Sequence, residues 1–120
     1  MKTTTKIKQR KITLNSFECC VVVGVLNFLY ENKLVWDMSQ DSPMNWHEMS
    51  KLFVDDLKHR IEIDKEKECK LTVADALIVS DLLTEGCKSQ LLKEYSQGKI
   101  IHWYNLASVV KEQIDNQIGR

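Results

Sequence analysis

Residues 19–30 read CCVVVGVLNFLY, the most apolar run in the chain. The run opens on two adjacent cysteines, Cys19 and Cys20, and what it becomes decides the fold. A membrane-spanning helix needs about 20 apolar residues. This run has 12 and is interrupted by Asn27, so a span is excluded. Three consecutive valines favour a strand. The flanks favour a helix: Asn15 is a good N-cap, and Glu18 stands three residues later, where a capping box needs an acid. Lys33 falls where the negative end of the helix dipole favours a cation. We therefore expect a helix over 16–32. Glu18 and Asn27 lie on opposite sides of it, so its middle has no polar face. Such a helix is central to a bundle or covered by a partner. Gly24 costs about 1 kcal/mol there relative to alanine, and a close helix crossing would account for it.

Just before this helix, Lys11–Leu14 reads KITL, with Ile12 and Leu14 alternating with polar residues. A short extended or β segment is expected there. A similar KLTV occurs at 70–73, again ahead of a predicted helix, and the two segments are able to pair. Downstream, 37–45 reads as a loop. Ser42 as cap and Pro43 at the first helical position start a helix running to about Ile61. Its core side is Trp46, Met49, Leu52, Phe53, Leu57 and Ile61; His47, Lys51, Asp55, Lys58 and Glu62 lie opposite. Thr72 with Asp75 caps a third helix that Gly86 ends, with Leu77, Ile78, Leu82 and Leu83 inward. A fourth spans 88–97 and buries Leu91, Leu92 and Tyr95. The last spans 100–117, where Ile100, Trp103, Ala107, Val110 and Ile114 form a seam stepping by three and four. The expected fold is all-α: a small single-domain bundle of about five helices, with a possible short N-terminal β segment.

The chain has 120 residues, enough to bury a core without disulfides or metal. Its 43% apolar and 28% charged residues fit an ordinary globular domain. The net charge of zero is uneven. Of 17 basic side chains, five (Lys2, Lys6, Lys8, Arg10 and Lys11) fall in residues 1–11 with no acid, leaving 12 against 17 acids. We expect a basic, flexible arm over 1–11 and one helical domain over 12–120. Cys19, Cys20, Cys69 and Cys87 show no C-x-x-C spacing, and no secretory leader is recognisable. Reduced thiols in a cytoplasmic protein are expected.

Residues 47–51, HEMSK, fall one residue short of the zinc-binding H-E-x-x-H helix, because Lys51 stands where the second histidine is needed. Asp55 and His59 share a helical face, with Glu62 beyond, but a third ligand is not evident. Charge pairs at these spacings are ordinary on a solvated face. Zinc spacings are absent around Cys69, Cys87 and His102. The four glycines are scattered, so no phosphate cradle forms. No acid, base and nucleophile converge, and no catalysis, metal or cofactor is expected.

Two binding readings remain. Helix–Gly86–helix over 73–97 invites a helix-turn-helix reading, with Ser89, Gln90, Lys93 and Gln97 toward a groove. Asp75, Asp81, Glu85 and Glu94 oppose it, because phosphate neutralisation dominates affinity. The basic residues 2–11 are able to contact phosphates alone. The favoured reading is a non-catalytic regulator, inhibitor, immunity-type or adaptor module that binds a protein or a second copy. Trp46 and Trp103 fit core stripes, whereas Trp36 is the tryptophan expected to stay partly exposed. In HWY, His102 to Tyr104, adjacent aromatics point to different faces, so His102 or Tyr104 looks outward. Trp36, His102 and Tyr104 are the expected protein-binding residues. A cryptic metal-dependent enzyme around His47, Asp55 and His59 is the third reading.

Overall fold

The computed structural model describes residues 10–40 and 42–120. Among them are six helices and one two-stranded sheet. In chain order these are β1 (Lys11–Asn15), α1 (Ser16–Glu31), α2 (Trp36–Gln40), α3 (Trp46–Glu62), β2 (Glu68–Thr72), α4 (Val73–Lys88), α5 (Gln90–Ser96) and α6 (Trp103–Ile118). The fold is all-α with a small sheet. The helix beyond the expected five is α2, a single turn that starts at Trp36 and takes in the first residues of the segment read as a loop.

The 19–30 run lies within α1, and the capping box forms in both directions. The Glu18 N–H donates to Asn15 Oδ1 at 2.8 Å, and the Asn15 N–H donates to Glu18 Oε1 at 2.9 Å. Cys19, Val21, Val22, Val25, Leu26 and Leu29 are buried. Full burial of a valine or leucine contributes about 1.5–3 kcal/mol, against under about 1 kcal/mol for valine's weaker helix propensity. Packing therefore overrides the strand preference of the three valines.

The KITL and KLTV segments do pair. The strands are antiparallel, with Ile12 opposite Leu71 and Leu14 opposite Cys69, and all four side chains are buried. Each strand runs directly into a helix cap: Asn15 for α1 and Thr72 for α4, whose Oγ1 accepts from the Asp75 N–H at 3.1 Å. Both free edges are stoppered by side chains. The Gln117 amide donates to Thr13 O and accepts from the Thr13 N–H, both at 2.9 Å, in the manner of one residue of a third strand. Arg60 donates to Lys70 O at 3.0 Å on the other edge. Covered edges do not recruit further strands.

Glycine explains both the packing and a correction. Gly86 was expected to end a helix, yet α4 continues through it to Lys88. Gly86 is buried where α1 crosses: a Cβ there would lie 2.8 Å from Val25 Cγ1. The glycine serves close approach, not termination. Gly24 serves the same purpose, since its added Cβ would lie 2.4 Å from the Trp103 ring.

Other boundaries shift for local reasons. Asn45, not Ser42, caps α3, accepting from the Glu48 N–H at 3.1 Å. Ser42 Oγ instead accepts from the Met44 N–H and from Trp46 Nε1. Leu52, expected in the core, is exposed, while His47, expected outside, is 5% exposed. Tyr95 and Leu91 are exposed, and Leu92 with Ser96 faces inward. The final helix starts at Trp103, because His102 Nδ1 accepts from the Asn105 N–H at 3.3 Å and closes the first turn. Ile100 is left outside it. The seam of Trp103, Ala107, Val110 and Ile114 does pack, with the last three buried.

Helices α4 and α6 are tied by a polar clasp. The Ser80 hydroxyl and Lys111 ammonium donate to Asp115, and Arg120 bridges to Asp81 at 2.9 Å. Burial alone would raise the Asp115 pKa, but the hydrogen bonds from Lys111 and Ser80 and the charges of Lys111 and Arg120 outweigh it. The carboxyl is held below its ordinary value of 3.8.

Two outcomes follow from these contacts. Gly86→Ala gains up to about 1 kcal/mol of helix propensity but drives a methyl into the fully buried Val25, so a net loss of about 1–2 kcal/mol is expected in urea denaturation. The clasp stabilises the fold above the ordinary carboxylate pKa and is lost as pH falls through the lower folded value. Wild type should therefore show a stability decline below about pH 4, and Asp115→Asn, less stable at neutral pH, should show a shallower one.

Candidate functional site

Each group considered for chemistry has a structural position. His47 lies inside an aromatic stack, 4.3 Å from the Tyr30 ring and edge-on to Trp36 at 4.9 Å. Among the described residues its buried Nδ1 has no hydrogen-bond partner. Lys51, at the position of the missing second histidine, pairs with Asp55 at 3.0 Å. That carboxylate holds the Lys51 pKa up. His59 lies 3.6 Å from the Asp64 carboxylate. Glu62 borders a groove between α3 and α6. Among the described residues, no three His, Cys, Asp or Glu side chains cluster as metal ligands.

The cysteines are separated by burial. Cys19 and Cys69 are both buried, and Cys19 Sγ donates to Leu14 O at 3.9 Å. Burial, then hydrogen bonding with Cys69, pushes the Cys19 thiol far up. Burial also raises Cys87, against the nearby Lys111 charge. Both therefore stay thiols and are poor nucleophiles at neutral pH.

Residues expected to face nucleic acid are dispersed. Lys2, Lys6 and Lys8 lie outside the described residues. Arg10 donates to the Gln117 carbonyl, and Lys11 is an exposed residue of β1. Between α4 and α5 there is only Ser89, which ends one helix and caps the other, accepting from the Leu92 N–H at 3.0 Å. Gln90 bonds Glu94 at 3.2 Å, and Lys93 stands 5.8 Å from the Tyr104 ring centre. Ser89 is thus a capping group rather than part of an outward face. The outward side of α5 carries Leu91 and Tyr95 beside Gln90, Lys93 and Gln97.

The aromatic candidates divide. Trp36 is 44% exposed, with Lys33 6.0 Å from its ring centre. His102 and Tyr104 are half-buried, His102 as the α6 cap and Tyr104 through its N–H to Ser96 Oγ at 3.0 Å. Further exposed apolar side chains lie on α5 and the connection to α6, and three of them, Leu91, Tyr95 and Ile100, were assigned to the core from sequence. Tyr95 packs on Phe28 at 4.9 Å and carries Lys99 4.5 Å above its ring. Leu91 stands one turn earlier, bordering a shallow hollow with Leu34. Ile100 is fully exposed, and Ile101 is also exposed. Adjacent Leu91 and Leu92 show that a two-turn helix buries only one of them, but the sequence does not say which: Leu91 with Tyr95 is the more apolar pair, and Leu92 with Ser96 is the one buried.

No protein-family model, curated protein or solved structure matches this chain. No helix among the described residues is long and apolar enough to cross a membrane.

His47 offers a direct test of whether its stack is architectural. A buried polar atom without a partner costs about 1–3 kcal/mol, and phenylalanine preserves the stacking. His47→Phe should raise the denaturation midpoint. A drop of similar size would reveal a polar role for the imidazole.

Proposed function

We propose that the chain is a small non-catalytic module that binds another protein through α5 and the connection leading to α6. What carries the reading is the exposed set Leu91, Tyr95, Ile100 and Ile101, held in place by Phe28 beneath and by the two caps Ser89 and His102 on either side. Isolated exposed leucines are ordinary, but a cluster including an aromatic and two consecutive isoleucines is typical of an interface. Lys93 and Lys99 border it, so their charges lie at a rim where they guide encounter more than they add affinity. Trp36, His102 and Tyr104 belong to the binding residues in this reading, and the acidic excess of residues 12–120 favours a basic partner away from the two lysines, whose own rim suits acidic groups. A regulator, inhibitor, immunity-type or adaptor role inside the cell fits a module of this kind.

Nucleic-acid binding is the second reading. It rests on the five basic side chains of residues 1–11, of which Arg10 is engaged with Gln117.

One experiment separates the two. Wild type and an Ile100→Asp/Tyr95→Ala variant of equal thermal stability are compared by quantitative affinity capture, and any enriched protein is rebuilt from purified components. The expected result is a partner bound by wild type and weakened at least tenfold by the variant, on the order of 1.4 kcal/mol. Equal capture by both would sink the surface. A salt-dependent shift of duplex DNA, abolished by deleting residues 1–11, would move the function to nucleic acid.

A further inference from the structure

A second apolar feature lies toward the start of α1. Phe17, Cys20 and Gly24 recur at three- and four-residue steps and so share one side of α1. Phe17 is 55% exposed, and Cys20 is exposed beside it. Farther along lies an apolar groove of about 180 Å³. Cys20, Val23 and Gly24 line its α1 side; Lys58, Ile61 and Glu62 of α3 and Trp103 of α6 complete it. The absent side chain at Gly24 lets Trp103 settle against α1 and form one wall. An apolar cavity of about 150 Å³ accepts a benzene ring, so this groove has room for a phenyl group. The same surface thus presents a projecting ring and a receptacle for one, seven residues apart, or about 10.5 Å along the helix.

We propose that this face pairs with a second copy of the chain about a two-fold axis, the Phe17 ring of each copy seated in the groove of the other. A surface holding both a knob and its matching hole is self-complementary, as an isologous contact requires. An antiparallel crossing centred between Cys20 and Val21 sets Phe17 opposite Gly24. The charges on the groove wall agree with the same reversal. Lys58 and Glu62 are four residues apart on α3, and Ile61 borders the groove together with Cys20. Turning one copy about the axis brings Lys58 against Glu62 of the second copy, and Glu62 against Lys58, so both pairs are of opposite sign. Cys20 falls beside the axis. Its neighbours in the thiol set are sequestered: Cys19 and Cys69 are buried and Cys87 is half-buried.

The test uses the full chain in light scattering over a concentration series, with and without the thiol oxidant diamide. The expected result is a concentration-dependent dimer that diamide locks covalently. Two Cys20 thiols lose two protons and two electrons to form one disulfide, while diamide is reduced to its hydrazine. Cys20→Ser should dimerise but fail to lock. Phe17→Asp, at an exposed position, should keep the thermal midpoint that wild type shows at concentrations too low for pairing and weaken association about 30-fold, as loss of an anchor residue does. Lys58→Glu should weaken it about two- to fivefold, as a rim ion pair would, and adding Glu62→Lys should restore it. A monomer at every concentration with no diamide-linked dimer would overturn the proposal. So would a dimer indifferent to Phe17→Asp, or a lock that persists in Cys20→Ser. These variants leave Leu91, Tyr95, Ile100 and Ile101 unchanged, so failure of this pairing leaves the α5 reading standing.

Discussion

The crossing of α1 over α4 at Val25 and Gly86 is the constraint on which the other contacts depend. A helix apolar around its middle is stable in water only if neighbours reach it from several sides at short range. Here α4 approaches because Gly86 has no side chain, and α6 approaches because Gly24 has none, letting the Trp103 ring lie against the backbone of α1. Helix α3 covers a third side, with Tyr30 on His47 near one end and Cys20 beside Ile61 near the other, so the two helices run antiparallel. Both glycines cost helix propensity locally, and close packing offsets that cost.

The sheet has the opposite character. Two short strands cannot stabilise themselves in water, yet they set the starting points of α1 and α4. Each strand runs straight into a cap, so pairing Ile12 with Leu71 fixes where both helices begin. The edge contacts from Gln117 and Arg60 then tie α6 and α3 to the same small platform. Electrostatics reinforces this at Arg60. Burial works against its charge, but bonding to Glu66 and the nearby Asp56 charge hold the guanidinium firmly protonated.

Much of this architecture was legible because it is written locally. The Asn15–Glu18 and Thr72–Asp75 caps, the apolar run and the alternation in KITL and KLTV each follow from neighbours within four residues. What the residues could not disclose depends on the third dimension. Gly86 reads as a stop signal until Val25 is known to press against it. The phase of α5 turns on which of Leu91 and Leu92 meets the core, and both choices keep the helical period. His47 looks polar beside Glu48 and Lys51, and only the approach of Tyr30 and Trp36 makes it a buried ring. Ile100 continues the α6 seam by spacing, yet the His102 cap excludes it from the helix. The α5 surface was hidden by these same ambiguities, since Leu91, Tyr95 and Ile100 were assigned inward. The exposure of Trp36 was legible because a polar loop follows it.

The amide of Gln117 joins Thr13 across 104 positions of sequence, and Arg10 meets the carbonyl of the same residue. The first and last described elements therefore converge on one point instead of sitting at opposite poles. Tension applied between residue 10 and residue 120 would not be shared along the helices. It would concentrate on that handful of bonds and open them one after another, as a zip opens. A pull on residues 10 and 120 thus loads β1 rather than the buried α1, and β1 is expected to peel away before the helices part.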